Sequence, residues 1–111
     1  MNPAKPAKPS NAWRIECSGN AESESTIIFR VVPKEGEPLV VTASVIKGRS
    51  ENGVAKDIRD AFRIQLPKER FKSETDDGED VLVKKKGSEP NFVVEFVSSD
   101  VKDLRLELER E

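Results

Sequence analysis

The sequence predicts an α+β domain, mainly antiparallel sheet of about seven short strands in the order β-β-β-α-β-β-β-β with one amphipathic helix packed on it, the strand order and closure into a barrel being left open. Two observations carry this. Short β-branched and apolar runs with two-residue alternation recur along the chain, separated by Gly/Pro/Asp turns. A single stretch, Val54 to Leu66, carries a helical apolar stripe with start and stop signals at its ends.

Residues 1–12 form a separate block. Pro3, Pro6 and Pro9 recur every third residue with Lys5 and Lys8 between them, a period that favours extended polyproline II and supplies nothing for a core. This predicts a Pro/Lys-rich flexible tail over 1–12 and a single domain over 13–111.

Within the domain, Trp13, Ile15 and Cys17 alternate with Arg14, Glu16 and Ser18, which predicts a half-buried strand beginning near Trp13. Trp13 is expected as a lid on the core and Cys17 as a small buried hydrophobe. Gly19 to Ser25 is a polar loop. Thr26 to Val32 and Leu39 to Ile46 are strands, joined through the proline-bounded turn Pro33 to Pro38 into an antiparallel hairpin.

Ser50 is placed to cap the helix, with Glu51 in the first turn where the dipole favours a carboxylate. Val54, Ile58, Ala61, Phe62 and Leu66 then share one face. Pro67 ends the helix, because it disfavours a helical backbone in the residue before it. Four further runs follow, RFKSET, DVLVKKK, FVVEFV and LRLELE. In the last, Leu104, Leu106 and Leu108 alternate with Arg105, Glu107 and Glu109, as in a strand with one wet face.

Composition removes many functions. Lys plus Arg number 19 against 21 Asp plus Glu, a formal net charge of −2, without the basic excess of a nucleic-acid binder. Five phenylalanines, one tryptophan and no tyrosine leave few platforms for stacking bases. There is no histidine, which excludes Ser-His-Asp and Cys-His catalysis and His-ligated zinc. The single cysteine, Cys17, forms neither an internal disulfide nor a multi-cysteine metal site. No apolar run approaches the roughly 18 residues of a membrane helix, and the N-terminus lacks the apolar stretch of a secretory signal. The expectation is a cytoplasmic protein, or one incorporated into a virion or appendage after synthesis.

The stretch Lys72 to Lys86, KSETDDGEDVLVKKK, is the candidate site. Its acidic members are Glu74, Asp76, Asp77, Glu79 and Asp80, and its basic members Lys84, Lys85 and Lys86. A two-residue turn at Asp77-Gly78 would oppose Asp76 to Glu79 and Phe71 to Lys84. A three-residue loop Asp76-Asp77-Gly78, with Gly78 left-handed, instead pairs Phe71 with Val83, Ser73 with Val81 and Glu74 with Asp80, keeping the apolar residues on one face. The hairpin is then expected to be polarised, its acidic tip and basic root roughly 20 Å apart and unable to neutralise each other within one molecule. Adjacent carboxylates on a strand point to opposite faces, so they do not converge as calcium ligands do.

The run VVTASVIKGRSENGVAKDIRDAFRIQL followed by FKSETDDGEDVLVKKK resembles a small β-α-β-β unit of bacteriophage tail proteins and the insert motif of flagellins. Val40 to Ile46, Gly48, Ser50, Val54, Ala55, Ile58, Ala61, Phe62, Val81 and Val83 carry the likeness. It implies a structural or assembly role in a virion or surface appendage.

The expectation for function is therefore a non-enzymatic structural or assembly module that binds itself or another protein through the polarised hairpin. The alternative is an immunity-type or regulatory inhibitor whose acidic loop binds a basic partner. No catalytic residue, metal, cofactor, nucleic acid, membrane or small-molecule substrate is indicated.

Overall fold

A computed structural model describes residues 9–34, 36–76, 78–99 and 104–111. The strands are β1 (Ala12–Gly19), β2 (Ser25–Pro33), β3 (Leu39–Val45), β4 (Phe71–Asp76), β5 (Asp80–Lys85), β6 (Phe92–Ser99) and β7 (Leu104–Arg110), and the helix α1 (Glu51–Gln65) lies between β3 and β4. The expected element order is the observed one. All strand pairings are antiparallel, but they form two sheets: a four-stranded sheet in the order β4-β5-β1-β7 and a three-stranded sheet in the order β3-β2-β6.

One hydrophobic cluster holds the layers together. β1 contributes Trp13, Ile15 and Cys17, β2 contributes Ile27, Phe29 and Val31, β3 contributes Val41, Ala43 and Val45, and α1 contributes Val54, Ile58 and Phe62. The alternation read from the sequence is the burial pattern of these strands. Phe29 packs on Phe62 across the strand–helix contact at 5.4 Å, and Phe71 meets Phe92 edge-on at 5.3 Å.

The helix starts where Ser50 Oγ accepts the Gly53 N–H at 3.2 Å, a cap that stabilises by about 1 kcal/mol. It ends at Leu66, whose ψ of 148° is extended ahead of Pro67. Its last turn closes one gap between the sheets. The Gln65 side-chain amide donates to Thr42 O at 2.7 Å and accepts from Thr42 N at 2.8 Å, occupying the edge of β3 as a neighbouring strand would. Arg63 Nε donates to Ser73 O at 2.8 Å on the edge of β4.

The sheets meet again on the opposite side. Ser10 and Phe92 exchange backbone hydrogen bonds of 2.9 Å each, and Trp13 Nε1 donates to the same Phe92 carbonyl at 2.7 Å. Trp13 is thus a fastener between sheets as well as a buried lid. These bonds also move the expected tail boundary. Ser10 Oγ donates to Glu111 O at 2.6 Å and Asn11 O accepts from Lys85 N at 3.1 Å, so residues 10–12 belong to the domain. Residues 1–8 of the expected tail lie outside the described residues.

The β4–β5 register corrects the expected one. The closing pair is Asp76 with Asp80, around the three residues 77–79, and Ser73 faces Val83 while Phe71 faces Lys85. The loop has the expected length and Gly78 the expected left-handed backbone, φ +81°. The pairing is displaced by two residues, so each side chain keeps its expected face. A side chain outside the hairpin, Arg14, provides the physical reason for the displacement.

Candidate functional site

Alternate residues of the four-stranded sheet point away from the core and make one polar face. β1 supplies Arg14 and Glu16, β4 supplies Lys72, Glu74 and Asp76, and β5 supplies Asp80 and Lys84. On β7, Glu109 lies opposite Arg14, Glu107 opposite Glu16 and Arg105 opposite Ser18. Inward neighbours such as Ile15, Val81 and Val83 are fully buried, which fixes the orientation of the polar set.

Arg14 is the hub. Its Nη1 lies 2.6 Å from Asp80 Oδ2 and 3.0 Å from Asp76 Oδ2, and its Nε lies 3.4 Å from Glu111 Oε2. These carboxylates hold the guanidinium well above its ordinary pKa, Glu111 contributing most, then Asp80 and Asp76. Asp76 and Asp80 would repel across the closing pair, and the Arg14 charge between them offsets that repulsion. In the register expected from the hairpin alone, Glu74 rather than Asp76 would face Asp80.

Away from the hub, Glu74 Oε1 meets Lys84 Nζ at 2.9 Å and its other oxygen lies 3.7 Å from Lys72 Nζ. The Lys84 hydrogen bond, more than any other contact, holds the Glu74 carboxyl below its usual range. The expectation that acidic tip and basic root cannot neutralise each other is therefore overturned. The register sets Glu74 diagonal to Lys84, and a third strand brings a cation to the tip.

The remaining predicted residues are dispersed. Glu79 is half-buried in the loop, its backbone carbonyl accepting the Cys17 N–H at 3.0 Å, which ties the tip to β1. Lys85 is half-buried opposite Phe71, and Lys86 is exposed at the root, beside α1. Asp77 lies outside the described residues. The structure thus brings Glu74, Asp76, Asp80 and Lys84 onto one face and places Glu79, Lys85 and Lys86 elsewhere.

A second acidic group on this face was not singled out from sequence. Carboxylate oxygens of Glu16, Glu107 and Glu109 lie within 4.8 Å of one another. None of the three has an ion-pair partner among the described residues. Desolvation, followed by the charges of Asp80, Glu107 and Glu109, pushes the Glu16 carboxyl above its usual range. Asp80 adds to the unsatisfied character, because its Oδ1 is buried without a hydrogen-bond partner. The sequence signal was present in the polar members of WRIEC and LRLELE, but only strand pairing places them side by side.

Chemically, the cluster offers hard oxygen donors. Hard cations, whether a metal ion completed by other oxygen ligands or the side-chain cations of a protein, are what such donors attract. Elsewhere, burial foremost pushes the Cys17 thiol up to about 12, leaving it a poor nucleophile. Among the described residues no helix is long and apolar enough to cross a membrane. No protein-family model matches the chain, and no curated protein or solved structure matches it.

Proposed function

We propose that this protein is a non-enzymatic protein-binding module whose acidic sheet face docks a basic partner protein, in the manner of a regulatory or immunity-type inhibitor. The observation that carries this reading is the gathering of Glu16, Glu107 and Glu109 on an exposed sheet face with no ion-pair partner among the described residues. Lysine or arginine side chains of a partner would relieve that repulsion, giving attraction and register together.

Pairing of Glu74 with Lys84, and of Asp76 and Asp80 with Arg14, weakens the motive for end-to-end self-assembly through the hairpin, where Lys86 stays unpaired among the described residues. Self-association along the free edge of β7 is disfavoured for a related reason. Two β7 strands paired about a two-fold axis would extend the sheet and set Glu107 and Glu109 of both copies on one face.

The test combines light scattering with capture. At about 50 mM and about 500 mM salt, values that bracket weak and strong screening, the protein is expected to be monomeric in both. Immobilised protein is expected to retain a basic protein from its native extract at the lower salt and release it at the higher. A variant carrying Glu107→Lys and Glu109→Lys is expected to lose that partner while keeping its circular dichroism spectrum. Retention of the same partner by the double variant would remove the acidic face from the reading, and a salt-dissociable oligomer would restore assembly as the function.

A further inference from the structure

A cleft on the other side of β4 is built for a different ligand. It lies between the end of α1 and β4, has a volume of about 250 Å³, and is floored by the almost wholly buried Phe62 and Phe71 under a rim of Arg63, Lys68, Lys72 and Lys86. No acidic residue lines it among the described residues. Lys68 and Lys86 have no ion-pair partner among the described residues, whereas Lys72 is shared with Glu74 at 3.7 Å and Arg63 with Asp60 at 4.0 Å.

The floor is held in place before any ligand arrives. Phe62 packs on Phe29, Phe71 packs on Phe92, and the Arg70 guanidinium carbon sits 5.4 Å from the Phe71 ring centroid. The Arg63 bond to the Ser73 carbonyl fixes the helix end against the strand. Ser73 also lines the cleft. It is only 6% exposed, and its Oγ has no hydrogen-bond partner within the protein. The Oγ itself is closed off from solvent, so the cleft presents the cations of its rim, rather than this hydroxyl, to an anion.

We propose that this cleft binds a small amphipathic carboxylate, with its apolar body over the floor of Phe62 and Phe71 and its anionic head between Lys68 and Lys86. The volume is below that of the usual drug-sized site, which sets the ligand at one ring or a short alkyl chain. The inference goes beyond the protein-binding reading and stands without it, since the acidic face and the cleft share only Lys72.

Titration with 3-phenylpropionate, followed by amide shifts in ¹H–¹⁵N spectra, tests this directly. Saturable shifts are expected at residues 62–63, 71–73 and 86. The neutral 3-phenylpropan-1-ol and inorganic phosphate should each bind at least about tenfold more weakly, the loss expected when either the charge-assisted contacts or the apolar contacts are missing. Lys68→Gln with Lys86→Gln should weaken 3-phenylpropionate about tenfold by the same reasoning. Ser73→Ala, which removes a hydroxyl closed off from the cleft, should leave the affinity unchanged. Shifts that fail to saturate, an alcohol or phosphate that binds as tightly, or an unchanged affinity in the lysine double variant would overturn the proposal.

Discussion

The acidic sheet face and the cationic cleft share a strand and differ in how far their charges are satisfied. Glu74 and Asp76 of β4 belong to the face, Phe71 and Ser73 line the cleft, and Lys72 reaches both. On the hairpin side of the face the charge is consumed internally, since Arg14 holds Asp76, Asp80 and Glu111 and Lys84 holds Glu74, while Glu16, Glu107 and Glu109 stay unpaired among the described residues. In the cleft, Lys68 and Lys86 have no ion-pair partner, and the hydroxyl of Ser73 no hydrogen-bond partner, among the described residues. A charge count does not distinguish these cases. What a charged residue can offer a partner depends on whether the fold has already given it one, and that follows from strand register.

The largest expected effect breaks the satisfied side. Arg14→Ala leaves the 8%-exposed Asp80 without its cation and restores the repulsion with Asp76, so urea denaturation should show a loss of about 2–3 kcal/mol. A loss within about 0.5 kcal/mol, as for an ordinary surface site, would mean that the face is not organised around Arg14.

Ser73→Ala, on the unsatisfied side, should act in the opposite direction. It removes a buried hydroxyl that has no partner and changes little volume, so the free protein should gain up to about 1 kcal/mol. A substantial loss would show that the hydroxyl is already bonded in solution.

The smallest effects sharpen the comparison within the face itself, through their pH dependence. Glu16 has a raised folded-state pKa, so its ionised form costs stability above that pKa and the cost disappears as pH falls through it. Glu16→Gln should therefore stabilise at neutral pH, with the gain fading on acidification. Glu74 has a lowered folded-state pKa, and its contribution is present above the unfolded value and lost as pH falls through the folded one. Glu74→Gln should destabilise at neutral pH and converge with wild type in acid. Thermal melts of both variants between about pH 3 and pH 7, a range spanning ordinary carboxylate titration, check the two signs. Curves that shift in the same direction would contradict the assignment of one carboxylate as unpaired and the other as paired.

The elements were legible in the sequence because they rest on local chemistry. Alternation in β1, β2 and β3, the Ser50 cap and the Pro67 stop each act within a few residues. The division into two sheets was not legible, because β1 pairs with strands far along the chain, Trp13 with Val83 and Cys17 with Leu106. The hairpin register failed for a related reason. Displacement by two residues preserves the face of every side chain, so alternation could not choose between the two three-residue loops. The observed choice sets Asp76 and Asp80 around Arg14, a residue on another strand. Half of the acidic face was likewise hidden, since Glu16 and Glu107 become neighbours only through the β1–β7 pairing.

That remote pairing also bears on the order in which the chain folds. β2, β3 and α1 follow one another in sequence, so β2 gains one partner across a short loop and waits for β6 on its other edge only, whereas β1 sits between β5 and β7 and has no local partner. The first strand made therefore cannot settle until much later segments are in place. Long loops close slowly and contribute disproportionately to folding time. In pulsed hydrogen exchange during refolding, the amides of residues 27–31 should become protected before those of residues 13–17, with β1 docking as the step that completes the domain.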